Sequence, residues 1–545
     1  MSSTALDAGT APGFPERLAL RALEIGAIVV VLVVSTLNVF DLDRFFVPKD
    51  VALHVTALVV GLFSLRAIRR TATTRPDLYL IGWLVLGAIS AATATNRWLG
   101  MRGLAISASG AALFWAARGL RQSGLARPLL NALAFAITAV AITALLQAYG
   151  LETRFFSLNR APGGTLGNRN FVGHAAAFGL PLVLFAALRA RRLFFACAAA
   201  AAVTAALVLT RSRAAWIACA AVGIVFIVAL VASSSLRRDG RTWRRFALLV
   251  VVAGLAAVAA AFLPNALHWR SENPYLESMK DVVSYGEGSG RARLVQYERS
   301  LRMTASHPLF GVGPGNWAVV YPKFVPRSDR SMNPSEPGMT FNPWPSSDWI
   351  AFISERGPIA AVLLALFFFG IASSAFRQLV RRPRRPEPLV HDGDVENALL
   401  ETTLLATIAA AVLAGLFDAV LLLPLPTLLV WTALGALWTP DEEPAGARGR
   451  LLHGSAVIAV LAVAAFGAFR SGSQLLAMET YATHSDRASL ERAAQIDPGN
   501  YRLQLRLARI ERGRQRRCDH ARAAHELFPN ADAARALARG CEDAP

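Results

Sequence analysis

The sequence predicts an all-α protein, a polytopic transmembrane helical bundle of about thirteen spans with a large exterior loop and a small helical-repeat tail. Three features carry that expectation. Of 545 residues, 54% are hydrophobic and 17% charged, a balance suited to a chain whose main solvent is lipid. Apolar runs long enough to cross a bilayer recur along most of the length. Arginines punctuate those runs instead of forming one face, so the net charge of +19 reads as loop charge and not as a nucleic-acid footprint.

Taken in order, the apolar runs fall at 22–41, 51–68, 77–95, 103–117, 129–149, 171–188, 193–210, 214–235, 246–264, 348–376, 398–423, 426–438 and 453–470. The pair 398–423 and 426–438 is the least regular, because Pro424 and Pro426 also suit a hairpin or a kinked re-entrant segment. The loops after even-numbered spans hold SLRAIRRTATTR, ARGLRQSGLAR, RARR, RRDGRTWRR and RQLVRRPRR. Positive charge stays in the cytoplasm, which puts the N-terminus inside and, with an odd span count, the C-terminus outside. The start of the chain has neither a basic n-region nor a small-residue cleavage site, so the first run is expected to persist as a helix.

This reading divides the chain into a cytoplasmic N-terminus at 1–21, spans one to nine at 22–264, a periplasmic loop at 265–347, spans ten to thirteen at 348–470 and a periplasmic tail at 471–545. A loop of that length carries a function more often than not. The tail has two similar stops, AAQIDPGN and AHELFPNAD, each with a proline after an Ala-rich helix; a tetratricopeptide-like pair and a plain helical hairpin both fit. Cys197 and Cys219 lie in apolar runs as small hydrophobes, whereas Cys518 and Cys541 in the tail are able to pair in an oxidising compartment.

Chemistry is sparse. There is no phosphate-binding glycine loop, no HExxH, no serine elbow and no Cys/His metal spacing. Intramembrane ionisable residues are few: Glu24, His54, His174, Glu401 and Asp418, of which Asp418 in AGLFDAVLLLP stands out, with helix–helix hydrogen bonding as its ordinary role. They form no paired midplane chain of the kind a proton-coupled transporter uses. Arginine on the exterior side is the exception to charge asymmetry: Arg169 in TLGNRNFVGH, Arg211 and Arg213 in LTRSRAAW, and Arg291 and Arg293 in GSGRARLVQY. A guanidinium offers a permanent charge and a planar fork for phosphate oxygens. For Arg154 and Arg160 a snorkelling side chain at a helix end is the simpler reading.

Four segments in order, GGTLGNRNFVGH, SRAAW, the GSGRARLVQYERSLRMTASHPLFGVGPGNW loop and SSDWIAFISERGPIA, resemble the O-antigen ligase and O-antigen polymerase family of bacterial inner-membrane glycosyltransferases. The resemblance implies a cavity open to the exterior face and to lipid. It also implies a polyprenyl-diphosphate-linked glycan as donor, a glycan, lipid or protein acceptor, membrane lipid as surroundings, and no cofactor, metal or nucleic acid. A tetratricopeptide-like tail in some members suggests a protein partner there.

Residue by residue, Arg213 and Arg293 match the family arginines expected to neutralise the leaving diphosphate, with Arg211, Arg291, Asn168, Arg169 and Asn170 as binding residues. One departure matters: where the family commonly has histidine, this chain has Ser346 in Ser346-Ser347-Asp348, ahead of Glu355-Arg356-Gly357. Serine does not deprotonate a hydroxyl near neutral pH. Asp348 or Glu355 is then the expected base, with His174 or His307 approaching from elsewhere as the alternative. Loss of the chemistry, leaving a membrane scaffold that recruits envelope proteins through the tail, is a third expectation.

Overall fold

The computed structural model describes residues 12–40, 42–269, 271, 274–280, 288–381, 391–440 and 446–542. The first half of the expected cytoplasmic N-terminus and the arginine-rich segment 382–390 lie outside them. Among the described residues there is no strand, only an isolated bridge between Met332 and Thr340. The all-helical expectation holds.

The chain opens with α1 (Phe14–Leu32), α2 (Asp43–Phe63), short α3 (Leu65–Arg70), α4 (Arg75–Ala92), α5 (Arg97–Gln122) and α6 (Ala126–Ala148). Local chemistry sets their ends. Lys49 of α2 caps α1 from the side, its Nζ donating to the carbonyls of Val30, Val31 and Val33 at 3.0, 2.9 and 2.8 Å. Thr74 and Asp77 form a capping box at the start of α4, and Asn96 caps α5. Asp77 is buried in an ion pair with Arg118 of α5 at 2.9 Å. There follow α7 (Arg169–Leu188), α8 (Leu193–Thr210), α9 (Arg213–Ala232), short α10 (Ser234–Arg238) and α11 (Gly240–Phe262).

The segment between α11 and α15 holds α12 (Pro274–Lys280), α13 (Gly288–Ser306) and the short α14 (Trp317–Val320). It leads to α15 (Asp348–Arg356), α16 (Pro358–Arg381), α17 (Asp392–Phe417), α18 (Pro424–Leu437) and α19 (Ala447–Thr483). The tail is α20 (Arg487–Ile496), α21 (Tyr501–Ile510), α22 (Arg514–Leu527) and α23 (Asp532–Glu542), each packed on the next.

Nine of these helices, α2, α6, α7, α8, α9, α11, α16, α17 and α19, are long and apolar enough to cross a membrane. The other four expected spans correspond to α1, α4, α5 and α18, which fall short by composition or length. α18 has 14 residues, about 21 Å against a hydrocarbon core of about 30 Å, and all of them are buried, so it is a core helix packed on α5. On the outside, Val250, Val251, Leu255 and Val258 of α11 and Ile224, Ile227, Val228 and Val231 of α9 stay exposed, a band that lipid must cover.

Three expected boundaries move. The first helix spans Phe14–Leu32 instead of 22–41, because the Lys49 cap ends it. The tenth run is two helices, since Gly357 adopts φ 84° and Pro358 starts α16 afresh. The last span continues as one 37-residue helix into the tail, so the boundary at 470/471 falls inside α19.

Candidate functional site

A cavity of about 320 Å³ opens where the N-terminus of α7 meets the loop after α17. Asn168, Arg169, Asn170 and Asp418 line it, joined by Arg160 and Trp344. Its position follows from local sequence. Gly167 adopts φ 75°, and a Cβ there would sit 2.5 Å from the Phe45 ring, so the turn before α7 needs glycine. The turn sets Asn168 as the N-cap, its side chain accepting from Asn170 N at 3.0 Å. The positive end of a 20-residue helix therefore faces the cavity, with Arg169 beside it. Arg160, expected to snorkel, lines the same space.

Asp418 is the acidic residue among the described residues lining the cavity. α17 ends there; the carboxylate accepts from Ala419 N at 3.0 Å and keeps 17% of its side-chain surface exposed. Its Oδ2 lies 3.8 Å from Nδ1 of His174, which is buried in α7 one turn beyond Asn170, and neither ring nitrogen of His174 hydrogen-bonds to another described residue. The charges of Asp418 and Arg293 both act on that ring, and Asp418 also acts on Asp348. His174 and Asp418 are thus the pair that the fold brings side by side at the cavity.

The helix break in LTRSRAAW has a physical account. Leu207 O, left without a partner at the end of α8, accepts from Thr210 Oγ1 at 2.7 Å and from Trp216 Nε1 at 3.2 Å. Arg211 adopts φ 55°, Ser212 follows, and Arg213 opens α9. A Cβ on Gly173 would meet Ser212 Cβ at 2.8 Å, so the absence of a side chain there lets α7 lie against this turn. Arg211 donates from Nε to Ser278 Oγ at 2.9 Å. Its guanidinium also stacks on Trp269 at 4.7 Å, and Arg169 stacks on the same ring at 4.9 Å.

Ser346, at the expected histidine position, is fixed through its backbone. Its N–H donates to Gln296 Oε1 at 2.7 Å, and its carbonyl accepts from the Tyr297 hydroxyl at 2.7 Å. Tyr297 also reaches Leu416 O at 2.7 Å. The helix that carries Arg293 is thereby tied to the ends of α15 and α17, on the approach to Asp418.

Two expected bases are placed elsewhere. Asp348 is fully buried, with Ser347 as the N-cap of α15, and its Oδ1 accepts from Leu421 N at 2.9 Å. It organises the loop that presents Asp418 and does not face the cavity. Glu355 is 1% exposed and accepts from Trp317 N at 3.3 Å, while its carbonyl accepts from Gly313 N at 2.9 Å and from Ser90 Oγ at 2.7 Å. It anchors the HPLFGVGPGNW turn, so its carboxylate is taken up by the fold. Arg291 is exposed to solvent, outside the residues lining the cavity. His307 is exposed at the end of α13, bonded to Ser306 at 2.9 Å. Sequence reading singled out Asp418 among the intramembrane ionisable residues, with helix contact as its ordinary role, and no local signal tied it to the Asn168–Asn170 turn. Among the described residues, no cluster of His, Cys, Asp or Glu suits a metal.

No curated protein matches the chain. Residues 197–365 match the family model described as O-antigen ligase, a stretch holding Arg211, Arg213, Arg293, Tyr297 and Ser346 and leaving out Asn168–Asn170 and Asp418 on either side. That match covers the segment that carries the SRAAW turn and α13, and it supports the O-antigen ligase family for this part of the chain.

Proposed function

We propose that the protein is a glycosyltransferase of the bacterial inner membrane that moves a glycan from a polyprenyl-diphosphate carrier to an acceptor hydroxyl on the periplasmic face, with the N-terminus cytoplasmic and the C-terminus periplasmic. The observation that carries this is Asp418 in a polar cavity with Asn168, Arg169 and Asn170, within electrostatic reach of His174, which Arg293 also influences.

The acceptor oxygen attacks the anomeric carbon, its proton passes to the Asp418 carboxylate, and the bond from that carbon to the phosphate oxygen breaks. The electron pair leaves on the diphosphate. Arg213, Arg293, Arg211 and Arg169 stabilise the charge that develops there, and the α7 N-terminus adds to them. A carboxylate is a sufficient base because departure of the leaving group leads at a sugar centre of oxocarbenium character. Direct attack inverts the anomeric configuration. Asp418 takes the role that the family assigns to histidine, and Ser346 contributes position only.

The test is envelope-glycan profiling in a deletion strain of the native host, complemented with wild type, Arg293→Ala or Asp418→Asn. Deletion is expected to remove a glycan and accumulate its lipid-linked precursor. Each variant, expressed at normal level, is expected to lower transfer by about 10²–10³-fold, the usual cost of one charge-stabilising donor or one general base. Full rescue by Arg293→Ala would mean that the arginine site is wrong and that a scaffold role is the better reading.

A further inference from the structure

Three histidines are buried among the described residues, and two of them bond a hydroxyl: His54 Nδ1 meets Ser109 Oγ at 2.8 Å, and His453 Nδ1 meets Thr73 Oγ1 at 3.2 Å. His174 differs. It is 1% exposed, and neither of its ring nitrogens hydrogen-bonds to another described residue. A buried polar group held in that state calls for a role in chemistry or toward a ligand.

The ring faces the Asp418 carboxylate. Its Nδ1 lies 3.8 Å from Asp418 Oδ2, about 1 Å beyond hydrogen-bond length. Asp418 stands just past the end of α17 with 17% of its side chain exposed, so a small rotation closes the gap, as substrate binding commonly does for catalytic pairs. On the other side the ring is held by its helix. Gly173 lets α7 lie against Ser212, and Asn170, one turn before His174, lines the cavity. Asp418 lines the cavity and His174 does not, so an acceptor there meets the carboxylate and not the ring. Arg293 of α13 is the other charge that acts on the imidazole.

We infer that His174 is the positioning residue for the base: it orients Asp418 and takes up, through it, the proton that the acceptor gives. This rests on the glycosyl-transfer reading, which ended the proton's path on Asp418. As the acceptor oxygen bonds to the anomeric carbon, its O–H bond breaks and the proton goes to the carboxylate. A proton passes from Oδ2 to Nδ1, which leaves Asp418 a carboxylate again, beside an imidazolium. The bond from the anomeric carbon to the phosphate oxygen breaks with its electron pair on the diphosphate. The cycle closes when the proton returns through Asp418 to that diphosphate, which departs with the lipid.

The test uses the full-length protein in lipid nanodiscs, with donor and acceptor lipids extracted from the deletion strain. His174→Gln, which stays polar but holds no extra proton, is expected to lower kcat about 10–100-fold with the donor KM within about threefold of wild type. In the Asp418→Asn background the same change is expected to cost less than about threefold more, because the ring acts through the carboxylate. A His174→Gln enzyme that keeps kcat within about threefold overturns the inference. Losses that multiply in the double variant also overturn it, because they are the mark of packing alone.

A second measurement needs no substrate and no change at His174. In NMR spectra of the protein labelled with isotopic nitrogen in histidine, one of the nine histidine rings is expected to shift between wild type and Asp418→Asn. If no ring shifts, the pair does not form and the inference falls, whether or not His174→Gln folds. If wild type transfers nothing, the glycosyl-transfer reading fails by itself, and the spectra alone then decide the pair.

Discussion

Ser346 shows how a residue at an expected catalytic position can serve the path of the chain. Its backbone is held by Gln296 and Tyr297, so what the position supplies is the path of the chain into α15. Ser346→Ala is therefore expected to keep transfer within about threefold of wild type, while Tyr297→Phe, which releases α13 from the Ser346 and Leu416 carbonyls, costs about 1–2 kcal/mol and lowers transfer. Paired rate and thermal-melt measurements on the purified protein check this. A Ser346→Ala enzyme as inactive as Asp418→Asn would return the base to the family position. The arginines drew notice in the sequence because, on the orientation that the loop charges suggest, they run against the charge asymmetry. The cavity at Asp418 was not readable, since nothing local separates an acid in a cavity from one in a helix contact.

The element that most changes meaning is α15. Read from sequence, Asp348 and Glu355 are two acids on one short helix near the exterior face. In the fold both are buried, one bonded to Leu421 in the loop before α18, the other bonded to Trp317 N by its carboxylate and to Ser90 of α4 by its carbonyl. Glu355→Gln keeps an acceptor for Trp317 N and is expected to retain transfer within about fivefold. Glu355→Ala leaves a buried amide unpaired, at about 1–3 kcal/mol, and is expected to lower the melting temperature and the yield of folded protein. A general base would give the opposite pattern, with Gln inactive and stable. Helix starts such as Thr74, Asn168 and Ser347 are legible from composition, because a cap is a contact within four residues. The break at Gly357 is signalled by Gly-Pro, but the reason for it, the Leu309 carbonyl 2.2 Å from where a Cβ would be, comes from 48 positions earlier in the chain.

On the scale of the whole molecule, the tail is docked on the segment between α11 and α15 and on the start of α5. Asn530 donates to Val319 O at 2.8 Å, Asn96 Nδ2 donates to Leu527 O at 3.2 Å, Arg327 pairs with Asp532 at 2.8 Å, and Gly338 lies so close to Asn530 O that a Cβ would overlap it. Cys518 and Cys541 are joined in a disulfide between α22 and α23, which closes a loop whose bond contributes about 3 kcal/mol in the chain-entropy account. Cys518→Ser with Cys541→Ser is expected to make the α22–α23 pair sensitive to protease while the membrane helices stay intact, read by limited proteolysis of membrane vesicles. Unchanged protection would mean that the docking contacts alone hold the tail. By itself the sequence determined the helical class and the places of the long helices, because hydropathy, caps and turn residues act over a few positions. Only the tertiary structure decided which acid faces the cavity, that Trp269 joins two arginines, and that the loop and the tail pack as one surface. Each of those is a contact between segments far apart in the chain, and no local pattern encodes the partner.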